Sequence, residues 1–221
     1  KAVAGKDSKK SIKALSQIIN KGYSEYAPYI SADMQTMIFT KLDYAANSQE
    51  TDKLTKGFYI THTIDGEVWE EPKILEIDKK QDIAQIELAG ISQDGFTIYL
   101  SIGDKNSADL FSAQIIGNAI KDVRPLDNNI NSRFGEYSIT FSYDGTSCIF
   151  SSSRPGGVGG TDLYRSYLNS EGNWSAPENL GSTINTPFNE EAPFWHPDGK
   201  KFIFASEGHR SIGGYDLFES H

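Results

Sequence analysis

Glutamates that recur at one position of a repeated frame are the first candidates for chemistry in this sequence. The frame Leu-x4-Asn-x4-Glu-x7-Asp occurs three times, and its glutamates are Glu25, Glu136 and Glu190. Carboxylates gathered around one axis could bind a cation or a basic ligand. A buried carboxylate more often accepts backbone N–H groups and so closes a loop. We favour loop closure, because a residue that recurs from unit to unit is expected to stabilise the unit. A catalytic residue is expected at a position that does not recur.

Two other polar positions recur with these glutamates, and we predict that they also hold loops. Asparagine side chains readily hydrogen-bond to neighbouring backbone. The aspartate that opens each Asp-Leu-aromatic signature is expected to bond to turn amides of its own unit. The repeat therefore assigns structural roles to Asn20, Glu25, Asp109, Asn131, Glu136, Asp162, Asn185, Glu190 and Asp216.

The remaining reactive side chains match no nucleophile, metal or cofactor motif. The single cysteine, Cys148, excludes an internal disulfide and a cysteine-built zinc site. It aligns with apolar residues of the other units, so we interpret it as a core residue. The four histidines lack metal-ligand spacing, and Ser151–Ser153 lie outside a Gly-x-Ser-x-Gly elbow. The sequence predicts no catalytic residue, no cofactor and no metal.

The elements that must position these side chains are repeated as well. The periods between equivalent aspartates are 61, 50 and 54 residues (33 to 94, 94 to 144 and 144 to 198). In the degenerate second copy, Gln81 and Ile86 replace Asn and Glu. Asp94-Gly95, Asp144-Gly145 and Asp198-Gly199 are dipeptides typical of hairpin turns. Nearly the whole chain therefore consists of four units of one design.

Each unit is predicted to form four antiparallel strands, which makes the protein all-β. Four such strands in about 50 residues are typical of a propeller blade, and radial packing buries faces that one sheet alone cannot bury. The predicted units span about residues 12–75, 76–126, 127–180 and 181–221, after a flexible lead-in of residues 1–10. A β-helix is the alternative, but its repeats are shorter and lack paired hairpin turns.

Aromatic residues at matched positions are predicted to fill the space between blades. One position of the second strand is assigned to Phe39, Tyr99, Phe150 and Phe204. Trp69 and Trp174 recur after the third strand and are predicted to pack between blades rather than to stack on sugars.

The first segment of the chain has the sequence of a fourth strand. Ser11–Ile19 matches that position of a preceding blade, and the last unit stops after a third strand. The segment could pair with the last unit and close the ring, which removes exposed sheet edges. The alternative, which we favour, is that the four units are a piece of a longer propeller.

The composition narrows the range of partners. The 221 residues include 21 Lys and Arg against 30 Asp and Glu, a net charge of −9. An acidic surface repels phosphate backbones, so we expect no nucleic-acid binding. No apolar run reaches the length of a membrane helix, so we expect no direct membrane span.

The last two units resemble a known family. Ser151–Tyr164, Asn173–Gly181 and Ile184–Gly199 are similar to the TolB-type, WD-repeat-like β-propeller of Bacteroidota envelope proteins, in which the propeller lies between a TPR domain and an OmpA-like peptidoglycan-binding domain. The resemblance covers about residues 12–221, although the second unit lacks the Asn, the Glu and the Trp. It implies a propeller of about six blades, a periplasmic and outer-membrane-associated location, and partners among envelope proteins, including components of type IX secretion and gliding.

Two functional classes follow from these observations. The first is a non-enzymatic scaffold that binds other envelope proteins. The alternative is a propeller hydrolase, lyase or glycosidase with a site in the central channel, since propellers host both classes. We favour the scaffold, because the sequence offers no cluster of His, Asp or Glu outside the repeat.

A scaffold needs a contact surface, and the sequence indicates where it lies. Loops between the second and third strands emerge on the same face as the loops between blades. In the last two units these loops carry the candidate contact residues Arg133, Arg154, His209 and Arg210. Variable loops on a regular scaffold concentrate binding, and Arg often anchors interfaces. The alternative is that these cations are solvated or pair with nearby carboxylates.

Overall fold

The computed structural model describes residues 14–44, 54–77, 82–104 and 106–221. The predicted lead-in and Gln81 lie outside the described residues, and the predicted first strand segment begins outside them. Apart from one 3-10 turn at Ile83–Gln85, the regular structure in the described ranges consists of β-strands.

Four antiparallel sheets follow one another along the chain as the blades of a β-propeller. Blades 1 and 2 contain β1 (Ser24–Ile30), β2 (Thr36–Tyr44), β3 (Leu54–His62), β4 (Lys73–Ile74), β5 (Ile86–Ile91), β6 (Thr97–Ile102), β7 (Asp109–Ile116) and β8 (Ala119–Pro125). Blades 3 and 4 contain β9 (Glu136–Phe141), β10 (Ser147–Ser152), β11 (Asp162–Tyr167), β12 (Glu178–Asn179), β13 (Glu190–Trp195), β14 (Phe202–Ser206) and β15 (Asp216–Ser220). The predicted all-β architecture of four blades is confirmed, and blade 4 has three strands in the described residues.

Tight turns join the first two strands of each blade because their aspartates bond to the turn backbone. Asp144 accepts a hydrogen bond from Ser142 Oγ at 2.6 Å and another from the Thr146 N–H at 3.0 Å. Gly145 has a φ of +68°, a conformation that favours glycine. In blade 1 the equivalent position is Met34, which adopts a φ of +60° without that freedom.

These turn bonds predict a pH dependence. Hydrogen bonds from Ser142 and from the Thr146 backbone lower the pKa of Asp144 to about 2. A carboxyl group whose pKa is lower in the folded chain than in the unfolded chain stabilises the fold above the unfolded value of 3.8. That stabilisation is lost as the pH falls towards 2. We expect Asp144→Asn to lower the urea midpoint at pH 6, with the difference from wild type shrinking between pH 4 and pH 2.

Asp109 provides the control for this experiment, because burial raises its pKa. Its charge opposes folding at neutral pH, so Asp109→Asn should move the midpoint in the opposite direction. Parallel pH profiles for the two variants would contradict the assignment of the turn bonds.

One large side chain from the second strand is buried in each blade, and those of blades 3 and 4 belong to clusters that include residues of the preceding blade. Phe39, Phe150 and Phe204 are at most 2% exposed. In blade 2 the prediction of Tyr99 is wrong by one residue. The register pairs Leu100 with Phe111 as it pairs Phe150 with Tyr164, and Leu100 is the buried residue. Tyr99 is half-buried on the other face.

Contacts between blades join the first strand of one blade to the second or third strand of the blade before it. Tyr99 of blade 2 stacks on Phe141 of blade 3, with ring centroids 4.8 Å apart. The Arg165 guanidinium of blade 3 lies over Trp195 of blade 4 at 5.0 Å. Trp69 packs in a cluster with Ile19, Met37 and Phe39, in which Ile19 belongs to the segment that precedes blade 1.

Candidate interaction surface

Each blade has two ends, and the polar residues of the repeat gather at one of them. The Asp-Gly turns occupy the opposite end. The register places Glu136, Ser152 and Asp162 beside one another, where β9 and β11 begin and β10 ends. We call this the loop end, since the long loops emerge from it.

The glutamate of blade 3 closes the loop that precedes its own strand. Glu136 is fully buried. Its carboxylate accepts hydrogen bonds from the Ser132 N–H at 3.0 Å, from Ser132 Oγ at 2.7 Å and from Ser152 Oγ at 2.7 Å. Both oxygens are therefore engaged within the blade.

Blade 4 repeats this arrangement with different hydroxyl groups. Glu190 is also fully buried and accepts from the Thr186 N–H at 2.8 Å, from Thr186 Oγ1 at 2.6 Å and from Ser206 Oγ at 2.7 Å. In blade 1, Glu25 accepts from the backbone N–H groups of Lys21 and Gly22. These hydroxyl partners were not predicted, although they recur four residues before and sixteen residues after the glutamate in the last two units.

Arg154 supplies the cation that faces the buried carboxylate of blade 3. Its guanidinium lies 3.1 Å from Glu136 Oε1 and donates to the Ile130 carbonyl at 2.5 Å. It also lies over the rings of Phe150 and Tyr164 at 4.9 and 5.3 Å. The Arg154 side chain is only 13% exposed. These contacts give Arg154 a structural role inside the blade.

A histidine takes the same place in blade 4. His209 Nε2 lies 2.6 Å from the carbonyl oxygen of Ile184, which is the repeat equivalent of Ile130. Its ring packs against Phe204 and Phe218 at 5.7 and 5.1 Å. A half-buried imidazole therefore occupies in blade 4 the position that a guanidinium occupies in blade 3.

The aspartates at the start of the third strand hold the adjoining loop. Asp162 accepts hydrogen bonds from the backbone N–H groups of Val158 and Gly159 and from Asn179 Nδ2 at 2.8 Å. Asp216 accepts from the Ile212 N–H at 2.7 Å. Gly157 lies so close to the Asp162 carboxylate that a larger residue there would displace it.

The asparagines of the repeat connect neighbouring blades. Asn131 Oδ1 accepts from the Leu110 N–H at 2.8 Å, and its Nδ2 donates to the Leu110 carbonyl at 2.9 Å. Asn185 makes the same pair of bonds to Leu163, at 2.8 and 3.0 Å. Each asparagine thus clamps the third strand of the blade before its own.

The exposed part of the loop end combines cations with large apolar side chains. Arg133 and Arg210 are exposed, and Arg133 lies over the Phe134 ring at 5.1 Å. The exposed apolar residues, which the sequence analysis did not identify, are Val158, Phe188, Ile212 and Tyr215, with exposed fractions of 40, 57, 93 and 45%. Of the four predicted contact residues, Arg133 and Arg210 are available to a partner, while Arg154 and His209 are largely engaged within their blades. We define this set of exposed residues as the loop-end surface.

A small cavity lies where the first strands of the four blades face one another. Inner-strand residues of all four blades surround a cavity of about 10 Å³, which is at most the space of one water molecule. The residues around it are Tyr29, Ile30, Ile91, Ser92, Gln93, Ile139, Thr140, Pro193 and Phe194.

The described residues contain no cluster suited to a metal ion, and the single cysteine is a buried thiol. Searched over those ranges, the chain has no cluster of three or more His, Cys, Asp or Glu side chains able to hold a metal. Cys148 is completely buried, and burial raises the pKa of its thiol to about 12. A thiol of that pKa is a poor nucleophile at neutral pH.

Comparison with solved structures connects this geometry to known folds. TolB from Acinetobacter baumannii matches with a TM-score of 0.50 and 16% identity, over 88% of this chain and 40% of that chain. The fold is that of a TolB-type β-propeller. A TolB-like protein from Agrobacterium tumefaciens matches with a TM-score of 0.46 and 15% identity, over 86% of this chain and 72% of that one.

An enzyme is also among the similar structures. An α-L-arabinofuranosidase from Lactobacillus brevis matches with a TM-score of 0.48 and 10% identity, over 89% of this chain and 71% of that one. At the level of sequence, no protein-family description and no curated protein matches. The chain spans less than half the length of the Acinetobacter TolB.

Proposed function

We propose that the chain is a non-enzymatic protein-binding module of a bacterial envelope complex, which contacts its partner through the loop-end surface. The observation that carries this proposal is the separation of roles at the loop end. The buried polar groups, such as Glu136 and Arg154, form ion pairs and hydrogen bonds within the blade and therefore stabilise it. The apolar and cationic groups left exposed there, such as Ile212 and Arg210, have the character of an interface.

The proposed location is the periplasm, in association with the outer membrane. The TolB-type fold supports a protein-binding role in the envelope, and the envelope partners follow from the sequence resemblance. Within the described ranges, no helix has the length and apolarity needed to cross a bilayer. The finer proposal is a component of a type IX secretion or peptidoglycan-linked assembly.

Charge reversal on the loop-end surface tests the proposal. We expect Arg133→Glu combined with Arg210→Glu to reduce the recovery of a specific envelope partner about tenfold in a pull-down with the purified chain, because reversed charges repel a complementary surface. Arg154 is left unchanged, since its replacement would disturb the buried Glu136.

The matched control reverses two exposed cations near the opposite end, Lys121→Glu and Lys200→Glu, and leaves the net charge of the two variants equal. Loss of the partner in the control with full recovery in the loop-end variant would place the interface on the other side. A hydrolytic activity that co-purifies with the chain and disappears on replacing one channel residue, such as Tyr29, would instead support the enzyme alternative.

A further inference from the structure

One arginine at the junction of blades 3 and 4 lacks the acceptors that a guanidinium normally has. Arg165 lies in β11, and within the described residues its side chain forms no hydrogen bond and no ion pair. Its Nε is buried from solvent without a partner. A guanidinium carries five N–H donors, and a buried donor without an acceptor costs free energy. The junction therefore contains an unsatisfied cation.

The position of Arg165 does not carry a recurring residue in the repeat. Its equivalents, each one residue after the aromatic residue of the third strand, are Ile60, Ser112 and Glu219. The four blades thus place an apolar, a polar, a cationic and an anionic side chain at one position. A residue that only stabilises the blade is expected to recur, so the architecture of the blade does not explain Arg165.

Two aromatic rings, one from each blade, hold the guanidinium in place. Arg165 Cζ lies 4.7 Å from the centroid of the Tyr167 ring and 5.0 Å from that of the Trp195 ring. Such contacts attract the cation to the face of a ring. A stacked guanidinium still presents its N–H groups in its own plane, where a planar acceptor can bind two of them. The rings therefore orient Arg165 and leave its donors free.

Arg154 of the same blade shows what a paired guanidinium looks like in this fold. It also lies over two rings, those of Phe150 and Tyr164. In addition, its guanidinium lies 3.1 Å from the Glu136 carboxylate. Arg165 has the aromatic part of this arrangement and lacks the carboxylate.

The surroundings of Arg165 are apolar on one side and accessible to solvent on the other. Ile149, which lies opposite Arg165 in the pairing of β10 with β11, is 2% exposed. Glu178 lies opposite it in the pairing of β11 with β12 and is exposed, but the two side chains form no ion pair. Arg165 is half-buried and Tyr167 is 41% exposed, so solvent reaches the site.

We propose that the junction of blades 3 and 4 binds a carboxylate that is attached to an apolar group, and that Arg165 recognises its two oxygens. Guanidinium and carboxylate match as a planar, bidentate pair, and the exposed Tyr167 ring offers a contact to the apolar group. A singly charged carboxylate suits the site better than a phosphate, because Glu178 and the net charge of −9 repel additional negative charge. The carboxylate can belong to a small molecule or to a polypeptide. This inference does not depend on the loop-end partner.

Titration of the full 221-residue chain, followed by nuclear magnetic resonance, tests the proposal. N-acetyl-leucine, which has a carboxylate and an apolar side chain, should shift the Arg165 Nε–H and Trp195 indole signals saturably, with a dissociation constant of about 1–10 mM. N-acetyl-leucinamide has the same apolar group without the charge and should bind about tenfold more weakly or less. Equal binding of the two compounds, or no saturable shift with either, would overturn the proposal.

A conservative variant tests the role of Arg165 itself. Arg165→Lys keeps the charge and an apolar stem but cannot form the planar pair, so it should bind N-acetyl-leucine about tenfold more weakly. Arg124→Lys is the matched control, because Arg124 is exposed in β8 and should bind as wild type does. Unchanged binding by Arg165→Lys would contradict the assignment.

Glu178→Gln tests whether the chain supplies its own counter-ion. Loss of this neighbouring charge should tighten the binding of N-acetyl-leucine by about two- to threefold. Binding that appears in Glu178→Gln and is absent from wild type would mean that Glu178 pairs with Arg165, and the proposed site would then not exist.

Two further probes identify the source of the carboxylate and need no variant. Inorganic phosphate should bind more weakly than N-acetyl-leucine, and tighter binding of phosphate would overturn the choice of a carboxylate. A pentapeptide of four alanines and a C-terminal leucine, with its carboxylate free, is compared with N-acetyl-leucine. Affinity of the peptide about tenfold higher or more supports a polypeptide carboxylate, and equal affinity supports a small-molecule carboxylate.

Discussion

Replacing Phe150 with alanine is expected to lower the free energy of unfolding by about 3–5 kcal/mol, the usual cost of emptying a large core site. Phe150 is completely buried, stacks on Tyr164 with ring centroids 6.0 Å apart, and supports the Arg154 guanidinium. The loss therefore includes the contacts of the ring with both Tyr164 and Arg154. Urea denaturation followed by tryptophan fluorescence and circular dichroism measures it.

Phe96→Ala is the control for this prediction, because the Phe96 side chain is 66% exposed beside a hairpin turn. It should cost less than about 0.5 kcal/mol. A cost below about 1 kcal/mol for Phe150→Ala would mean that the strand register places another side chain in the core.

Replacing Arg154 with methionine is expected to cost about 3–5 kcal/mol, because it leaves the buried Glu136 carboxylate without its cation. The ion pair is 3.1 Å long, and the two side chains are 13 and 0% exposed. Methionine keeps part of the apolar stem that covers Phe150 and Tyr164. Arg133→Met, at an exposed position in the preceding loop, should change stability by less than about 0.5 kcal/mol.

A double mutant separates the ion pair from the packing of its stem. Glu136→Gln together with Arg154→Met removes both charges, so it should be clearly more stable than Arg154→Met alone. Strict additivity of the two substitutions would show that Glu136 and Arg154 do not interact in the folded chain.

The role of Arg154 changes how the loop end should be probed. A variant such as Arg154→Glu would place two carboxylates around the same buried site, and loss of a partner could then follow from loss of the fold. Arg133 and Arg210 avoid this ambiguity, since both are exposed. The proposed interface therefore rests on the side chains that the blades do not use.

The repeat and most of its local structure can be predicted from the residues alone. Asp-Gly dipeptides predict turns because only glycine adopts the left-handed conformation at low cost. Gly95, Gly145 and Gly199 do so, with φ of 77°, 68° and 68°. Alternation of apolar residues around these turns predicts antiparallel strands, and the period of the frame predicts blades. These features depend on neighbours in sequence, so one sequence is enough to find them.

The buried position in the second strand of blade 2 could not be predicted from residue type, and Tyr99 was assigned to it wrongly. An aromatic ring and a leucine can fill equivalent core positions, so residue type did not identify the buried residue of blade 2. The pairing of Leu100 with Phe111 did, because side chains alternate between the two faces of a strand and a shift of one residue exchanges them.

The packing of the blades determines which side chains remain exposed to a partner, and this could not be predicted from the sequence. Glu136 and Arg154 are eighteen residues apart and meet only because β9 and β10 pair. His209 replaces the guanidinium in blade 4 from a different position in the loop, so no alignment of types would pair it with Arg154. Leu110 and Leu163 are completely buried because an asparagine of the following blade bonds to each of them, so their burial depends on the neighbouring blade. Exposure and partnership are properties of packed surfaces, and distant segments of the chain create them only when the blades come together.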